Sequence, residues 1–594
     1  MGCRGHLNIL NTYLSFEEVI FMKKRVISAA LAATLAATLL AGCGGNSSNG
    51  GTSGGDGGSG NAGASTSEDG SKTVTQYGEY TEENPYHLTF AYIEFAQQDA
   101  NATKAVQDAL NDYMRPTYHM EVEFLPMQYA EYQSQLQLMF SGSDALDVIP
   151  IYYTNASSWL AMNAIVDMMP YMETEDGKAI EEVLGANTYV GQMNGVLFGF
   201  PAQKESVELG GLFMRKDICD ELGITEEYDL KDADDEYKGV VYDWSEATKI
   251  FEKVKAAYPD MVPLYLQGNS SAMRRFAFFD ELADQFGVLD WETDHDSTTV
   301  VNEFETEAYK EAVTRLAEWF DAGYIYKDAM TDTQGSGTMM KAGNTFSYPT
   351  AIKPGFLAEA KASNGCEGYV MYFEDQIEGG YSTTNVSFFD CGIANNSQDP
   401  DMAFKFIRAL YTDAKVMNFW QYGIEGVNYQ VLDDGTAYFV DGEDASNYKY
   451  HQNTGWYQGN QFISYVWNDG TKSPDYWELL QTHNTWADYS PAYGFMWDAS
   501  EYSANITALQ NALETYRPAL ETGDIGGAGN VDNMLKQLND ALYAAGLQDV
   551  MDAKQAQLDS WLEANGPTET PAENQAKIDA AYEAAGTTET KLHK

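Results

Sequence analysis

The sequence has few basic residues. Its 594 residues include 35 Lys and Arg against 89 Asp and Glu, which gives a formal net charge of −54 at pH 7. A chain this acidic repels the phosphate backbone of nucleic acids and disfavours strongly anionic ligands and direct docking on an anionic membrane. The charge indicates a solvated surface, and we expect no nucleic-acid partner.

Cysteine and histidine are also scarce. The five cysteines form no C-x-x-C pair and have no metal-type spacing to any of the seven histidines. A disulfide between Cys366 and Cys391 is one possibility. The acidic residues that alternate along 290–296 lack the turn glycine and terminal glutamate of a calcium loop, so an acidic turn is favoured over a calcium site. We expect no metal and no cofactor.

Catalytic motifs are missing as well. The sequence contains no phosphate-binding loop, no H-E-x-x-H and no dinucleotide fingerprint after a predicted strand. The G-x-S-x-G match at 51–55 stands in a Gly/Ser-rich segment without the strand and helix that a hydrolase elbow needs. Carboxylates are too numerous for the sequence to identify a glycosidase pair. We expect no enzymatic activity; a glycan-active hydrolase and an adhesive surface protein are alternatives.

The amino-terminal part follows the pattern of a secretion signal. A basic start at 22–25 is followed by an apolar run at 26–40 and then by Leu40-Ala41-Gly42-Cys43. This end resembles the lipobox of bacterial lipoproteins, in which the cysteine receives a diacylglycerol. The resemblance implies that Cys43 becomes the lipidated first residue, carrying acyl chains such as palmitate, at the outer face of the cytoplasmic membrane.

Residues 1–21 do not fit this signal. They have no apolar run of their own, and Glu17-Glu18-Val19 can be encoded by a purine-rich ribosome-binding sequence. We therefore predict that translation starts at Met22 and that 1–21 are an over-extended gene prediction.

Helices and short strands alternate in the rest of the chain, after a Gly/Ser/Asn-rich tether at 44–70. Apolar alternation predicts strands at 88–93, 120–124 and 147–151, and amphipathic helices are predicted between them at 99–113 and 129–140, which is typical of an α/β fold. The chain is mostly helical from residue 503, and 565–594 is polar and predicted to be loose. The helices predicted after residue 151 are 247–257, 306–321, 402–410, 506–516, 531–545 and 548–562.

Several local patterns occur in a characteristic order. They are N-G-V-L-F-G-F-P at 194–201, F-M-R-K-D at 213–217 with E-L-G-I at 221–224, D-W-S-E at 243–246, W-F-D-A-G-Y-I at 319–325, Y-G-I-E-G-V-N-Y at 422–429, and G-F at 494–495 with P-A-L-E-T-G at 518–523. Together they resemble the extracellular solute-binding lipoproteins of ABC importers, the LipO-type, family 1 carbohydrate-binding subgroup. The resemblance covers about residues 85–563.

The resemblance implies a two-lobe α/β fold of the periplasmic-binding-protein type (type II), with a hinge and a mostly helical C-terminal region. The chain would cross between lobes near 201–206 and 381–389. The expected division is signal 22–42, anchor and tether 43–76, lobe 1 at 77–204 with 380–430, lobe 2 at 205–379 with 431–563, and a polar tail at 564–594.

The same resemblance implies a function. A monomer would capture a carbohydrate, an oligosaccharide in our prediction, and deliver it to the permease subunits of an importer. A peptide or another polar solute in the same fold is the alternative.

A sugar site needs hydrogen-bonding side chains for hydroxyl groups and aromatic platforms for the ring faces. We selected charged residues at the predicted hinge, residues that follow predicted strands, and aromatic residues in loop-like sequence. Packing, or a plain surface ion pair, is the alternative role for each of them. The candidate ligand-binding residues are Glu94, Tyr152, Tyr153, Trp159, Lys204, Glu205, Arg274, Glu425, Tyr429, Trp456, Tyr457 and Trp486.

Overall fold

A computed structural model describes most of the chain beyond the predicted tether. The described residues are 65–66, 71–142, 145–207, 209–231, 241–267, 273, 276–291, 293–373 and 379–584. The predictions for the signal, for Cys43, for Glu292 and for Arg274 lie outside them. No helix in these ranges is long and apolar enough to cross a membrane.

The first sheet has five strands. The first three run parallel, and the fourth pairs antiparallel with the third and fifth. In the strand Tyr86–Glu94, consecutive residues from Phe90 to Ile93 are all fully buried, because helices cover both faces of a parallel sheet. In spatial order the strands are Met120–Gln128, Tyr86–Glu94, Val148–Tyr152, Phe389–Ile393 and Phe200–Pro201.

Six helices pack their apolar residues against this sheet. Helix Ala100–Tyr118 begins at Asp99, whose carboxylate accepts hydrogen bonds from the backbone N–H groups of Asn101 and Ala102 at 3.0 Å. The predicted helix ended five residues earlier, before Pro116, which the helix accommodates in its last turn. The other five are Tyr132–Phe140, Tyr153–Ala161, Glu175–Leu184, Pro400–Thr412 and Ala414–Tyr422.

The second sheet also has five strands. The central strand, Leu209–Arg215, is antiparallel to both neighbours, and the two edge strands run parallel to the strands they pair with. The order is Val241–Tyr242, Gly368–Phe373, Leu209–Arg215, Thr345–Ile352 and Val262–Leu264. Its helices are Lys216–Glu221, Ile224–Glu227, Trp244–Ala257, Glu307–Asp321, Ser336–Lys341 and Phe356–Asn364.

The C-terminal region adds three long helices to the second lobe. Leu509, Leu538 and Leu558, one from each helix, are fully buried in the apolar cluster that surrounds the second sheet. These helices are Ser503–Leu520, Val531–Ala544 and Leu547–Asn565. The prediction of a mostly helical C-terminal region is therefore confirmed.

Residues predicted to be a loose tail form a further helix, Ala572–Ala584. Ile578 is 1% exposed, and the Asn574 amide donates to the carbonyl of Ala487 at 3.0 Å. The polar composition of this segment suggested solvation, but its side chains satisfy backbone groups of the body of the protein instead.

Short elements complete the described fold. The small strands are Ser65–Thr66, Thr73–Val74, Glu79–Tyr80, Gln192–Met193, Val196–Leu197, Val288–Leu289, Val300–Val301, Gly379–Tyr381, Tyr429–Val431, Ala437–Phe439 and Ala487–Tyr489. The short helices are Thr383–Val386 and Tyr476–His483, and the 3₁₀ turns are Met169–Glu173, Gly185–Asn187, Glu303–Glu305, Ala329–Thr331, Gln461–Ile463, Asn484–Trp486, Ser500–Tyr502 and Ala528–Asn530.

The chain passes from the first sheet to the second after Pro201 and returns before Phe389, close to the two predicted crossings. The exact lobe boundaries remain a proposal. Tyr450 and Tyr457 belong to the apolar cluster around the first sheet, so we propose to move the segment around them from lobe 2 to lobe 1.

The possible disulfide is not formed. Cys219, Cys366 and Cys391 are free thiols. Cys391 is buried in a strand of the first sheet, whereas Cys366 lies just before a strand of the second.

Candidate functional site

One edge of the first sheet carries a row of half-buried aromatic side chains. The three parallel strands end at Glu94, Gln128 and Tyr152, with Glu94 and Gln128 in register. Ligands in open α/β sheets bind beyond the carboxyl ends of the strands. We call six residues at this position the aromatic edge: Phe95, Tyr129, Tyr152, Tyr153, Phe388 and Trp456.

The rings of the aromatic edge touch in two groups. Phe95 stacks on Tyr129 with ring centroids 5.9 Å apart and contacts Trp456 at 5.2 Å. Tyr152 lies 4.7 Å from Tyr153 and 5.0 Å from Phe388. The arrangement provides two neighbouring apolar platforms that keep part of their surface in solvent.

A buried aromatic layer supports both groups. Tyr457 contacts Phe95 at 5.4 Å and Phe389 at 5.5 Å, and Phe389 in turn contacts Tyr152 at 5.2 Å. The Tyr457 hydroxyl accepts from the N–H of Ile93 at 2.9 Å and lies 3.2 Å from its carbonyl. This layer fixes the strand end from which Glu94 and Phe95 project.

Glu94 supplies a largely buried carboxylate, 8% exposed, beside the aromatic edge. The Gln128 amide donates to it at 3.3 Å. Burial raises the pKa of Glu94, and hydrogen bonds from the Gln98 backbone and the Gln452 side chain partly offset that shift. A carboxylate in such a place can accept hydrogen bonds from ligand hydroxyl groups.

Glu205 lies at the first crossing, where it is held by protein groups. Its Oε1 is 2.6 Å from Nζ of Lys353, and its Oε2 accepts from the Gln461 amide at 2.9 Å. Burial alone would raise the pKa of Glu205, but Lys353, Lys204 and these hydrogen bonds lower it to about 2.

The partners of Glu205 come from different parts of the fold. Lys353 directly follows a strand of the second sheet. Gln461 stands beside Asn460, whose amide donates to the carbonyl of Tyr411 in a helix of the first lobe at 3.1 Å. Glu205 therefore links the two lobes, and we assign it to the hinge rather than to ligand contact.

Lys204 is also part of the hinge. Its ammonium group donates to the backbone carbonyl of Glu205. The side chain of Asn484 bridges the same segment: its amide N–H donates to the Lys204 carbonyl at 2.8 Å, and its oxygen accepts from the Ser206 N–H at 2.9 Å. These bonds fix the backbone of the crossing.

Four other predicted residues are buried. Trp159 is fully buried against Phe140, and Tyr457 is 2% exposed in the layer beneath the aromatic edge. Tyr429 packs in a separate cluster with Tyr422, and Trp486 is 8% exposed in a cluster near the hinge. Their surface is used in packing, so we do not retain them as ligand contacts.

Glu425 is exposed on the Tyr422–Tyr429 turn and forms an isolated bridge with Tyr429. Of the predicted residues, Glu94, Tyr152, Tyr153 and Trp456 are the ones that the structure brings to one edge. Sequence reasoning missed Phe95, Tyr129 and Phe388 there. Phe95 comes two residues after the predicted strand 88–93, so the rule that selected Tyr153 could have found it, whereas the predicted strand 120–124 ended too early to indicate Tyr129.

Among the described residues, no three His, Cys, Asp or Glu side chains are grouped so that they could hold a metal ion. Part of the acidic run at 290–296 forms a turn in which the N–H of Asp294 donates to the carbonyl of Asp290 at 3.1 Å.

Comparison with known proteins gives two family matches. Residues 108–438 match the sequence model of bacterial extracellular solute-binding proteins, which is more than half of the chain. Residues 491–563 match a domain of unknown function, DUF3502.

One curated relative is a carbohydrate ABC transporter substrate-binding protein of Streptococcus pneumoniae, 23% identical over 77% of this chain and 87% of its own length. The fold is similar to that of the N-glycan transport solute-binding protein of S. pneumoniae, with a TM-score of 0.64, 19% identity, and coverage of 80% of this chain and 99% of that one. An extracellular solute-binding protein of Bifidobacterium longum subsp. infantis has a similar fold as well, with a TM-score of 0.54, 14% identity, and coverage of 81% of this chain and 99% of that one. The α/β two-lobe prediction is therefore confirmed.

Proposed function

Because the chain belongs to the family of bacterial extracellular solute-binding proteins, we propose that it captures an oligosaccharide and delivers it to the permease of an ABC importer. The observation that carries the proposal is the aromatic edge beside Glu94. Sugar rings have apolar C–H faces and hydroxyl rims, so they fit flat aromatic surfaces next to a hydrogen-bonding carboxylate. The low basic content also suits a neutral ligand better than an anionic one.

The comparisons support the same class of ligand. The N-glycan transport protein of S. pneumoniae has been crystallised with Man1GlcNAc and with Man5GlcNAc, and another fold neighbour, FusA of S. pneumoniae, with kestose. The two ring groups of the aromatic edge suit a ligand of more than one sugar unit.

We also propose that the mature protein is lipid-anchored through Cys43 at the outer face of the cytoplasmic membrane. The order of basic start, apolar run, L-A-G-C and polar tether supports this. An anchored binding protein would stay close to its permease.

A thermal-shift screen tests the ligand class. The probes are Man1GlcNAc, Man5GlcNAc, kestose, maltotriose and, for the peptide alternative, trialanine. A specific ligand at 100 times its Kd stabilises the folded protein by about 2.7 kcal/mol. A shift with trialanine and with none of the sugars would replace the carbohydrate proposal by the peptide one, and release of monosaccharides from any probe would indicate an enzyme.

The site itself is tested with Trp456→Ala. Loss of a central aromatic contact costs about 2 kcal/mol, or roughly thirtyfold in Kd for the best sugar probe. The matched control is Tyr77→Ala, an aromatic residue that is 50% exposed and far from the aromatic edge. Tyr77 lies near Asp399, whose backbone N–H donates to the Tyr86 hydroxyl at the opposite end of the sheet. If Trp456→Ala and Tyr77→Ala bind the sugar probe with equal affinity, the aromatic edge is not part of the binding site.

A further inference from the structure

The segment 495–498, at the start of the domain of unknown function, contacts both lobes. Phe495 and Trp497 are buried in the apolar cluster of the second lobe, whereas Met496, between them, is 4% exposed in the cluster of the first lobe. The alternation places neighbouring side chains in two different cores. Such a segment is sensitive to any relative movement of the lobes.

Asp498 extends this contact through hydrogen bonds. Its Oδ1 accepts from the Ser157 hydroxyl at 2.6 Å, and its Oδ2 accepts from the Asn194 amide at 3.0 Å. Both donors belong to the first lobe: Ser157 lies on helix Tyr153–Ala161, and Asn194 lies in the turn of a small hairpin. Asp498 also accepts from the N–H of Ser500 at 2.9 Å in its own segment.

One helix of the C-terminal region holds Asp498 in place. On helix Leu547–Asn565, the side chain of Gln557 accepts from the N–H of Asp498 at 2.8 Å and donates to its carbonyl at 3.1 Å. This bidentate contact fixes the backbone that presents the carboxylate to the first lobe.

The same helix holds a second point between the lobes. The ammonium group of Lys554, whose side chain is 0% exposed, lies 2.9 Å from Oδ1 of Asp284 and donates to the Gly287 carbonyl at 2.8 Å. Asp284 and Gly287 lie in a loop that also includes Ala283. Ala283 packs against both apolar clusters and donates its N–H to the hydroxyl of Thr384 at 3.0 Å. Ala283 has φ of 87°, a strained conformation that persists only where surrounding contacts enforce it.

We propose that helix Leu547–Asn565 acts as a brace that sets the relative position of the two lobes, with Asp498 as the positioning residue on its first-lobe side. The brace reaches the aromatic edge, because Tyr153 and Ser157 are four residues apart and share a face of one helix. This gives a role to the domain of unknown function. The inference depends on the lobe contacts and not on the identity of the ligand, so it can fail independently of the proposed function.

The test compares two ways of breaking the contact. Asp498→Ala removes the acceptor, while the double variant Ser157→Ala/Asn194→Gly removes only its first-lobe partners. Glycine suits position 194 because Asn194 has φ of 51° in a two-residue hairpin turn. The matched control is Glu501→Gln, which also removes one negative charge but at an exposed position three residues after Asp498.

The readouts are the radius of gyration in solution scattering and hydrogen exchange of helix Tyr153–Ala161, both without ligand. We expect Asp498→Ala and the double variant to increase the radius of gyration and to accelerate exchange in that helix about tenfold or more. Glu501→Gln should match the wild type in both. Circular dichroism checks that each variant is folded.

Two results would overturn the proposal. If Asp498→Ala alone changes the readouts, Asp498 merely caps its own turn at Ser500. If neither variant changes them, the contact does not position the lobes. Should Asp498→Ala fail to fold, the double variant decides by itself.

Discussion

The ion pair between Glu205 and Lys353 allows a quantitative prediction for the variant Glu205→Gln. The side chains are 13% and 31% exposed, and Lys353 Nζ lies 2.6 Å from Glu205 Oε1. Glutamine keeps the shape and a hydrogen-bonding group toward Gln461, but it leaves the Lys353 ammonium without its anion. We therefore expect a folded but destabilised protein.

The magnitude follows from the pKa of Glu205, which falls from 4.5 to about 2 on folding. Each pKa unit corresponds to about 1.4 kcal/mol, so the ionised carboxylate contributes about 3 kcal/mol. A carboxyl group whose pKa is lower in the folded state stabilises the protein fully above its unfolded-state pKa. This stabilisation is lost as the pH falls through the folded-state pKa. The wild type should therefore lose about 3 kcal/mol through this group between pH 4.5 and the region below pH 2.

At the alkaline end, Lys353 acts in the opposite direction. Burial would lower the pKa of Lys353, but Glu205 raises it well above its ordinary value. A raised lysine pKa stabilises below the unfolded value of 10.5, and this effect is lost as the pH rises toward the folded value. In Glu205→Gln, the loss of unfolding free energy between pH 10.5 and the folded-state pKa of Lys353 should therefore be smaller than in the wild type.

The assay is urea unfolding of wild type and Glu205→Gln at a series of pH values from 2.5 to 7. The variant should have a lower unfolding free energy at pH 7, and the difference should narrow toward pH 2.5. Glu367→Gln is the control, since Glu367 forms an exposed pair with Lys361 that should contribute little. A constant difference across the series would refute the reasoning, because it would show that ionisation of Glu205 does not matter for stability.

Two further predictions concern other parts of the chain. Lys554→Met should destabilise the protein by about 3–5 kcal/mol in thermal unfolding, because it removes a fully buried ammonium group from Asp284 and from the Gly287 carbonyl. Lys536→Met, at a position that is 70% exposed, should change little, and similar melting of both variants would argue against the brace contact. Cys43→Ala should block lipidation and move the protein out of the membrane fraction, and unchanged membrane retention would contradict the proposed anchor.

Much of the fold could be predicted from the chain because its periodicities are local. The strand Tyr86–Glu94 and the helix Trp244–Ala257 were predicted to within a few residues at each end, since apolar spacing and the capping residue Asp243 are visible in sequence. The C-terminal helix Ala572–Ala584 was not predicted, because its stability depends on distant groups. Asn574 and Lys577, for example, bond partners near residues 485–487.

The candidate site was harder to predict, because what separates a ligand platform from a core residue is exposure. Trp456 and Tyr457 are adjacent and stand in the same loop-like sequence, yet Trp456 is half-buried and Tyr457 is 2% exposed. Nothing local distinguishes them; the difference arises because the Tyr457 hydroxyl reaches the Ile93 backbone of a strand more than 360 positions away.

Glu205 shows the same limit for a charged residue. Its sequence neighbours, Lys204 and the preceding strand, fit either a ligand contact or a hinge. The deciding partners are Lys353 and Gln461, which are 148 and 256 positions away. Glu205 is paired with the Lys353 ammonium across the two lobes, whereas Glu94 lies at the carboxyl end of a strand, where the Gln128 amide donates to it. This difference in position and charge pairing is why Glu94 is assigned to the site and Glu205 to the hinge.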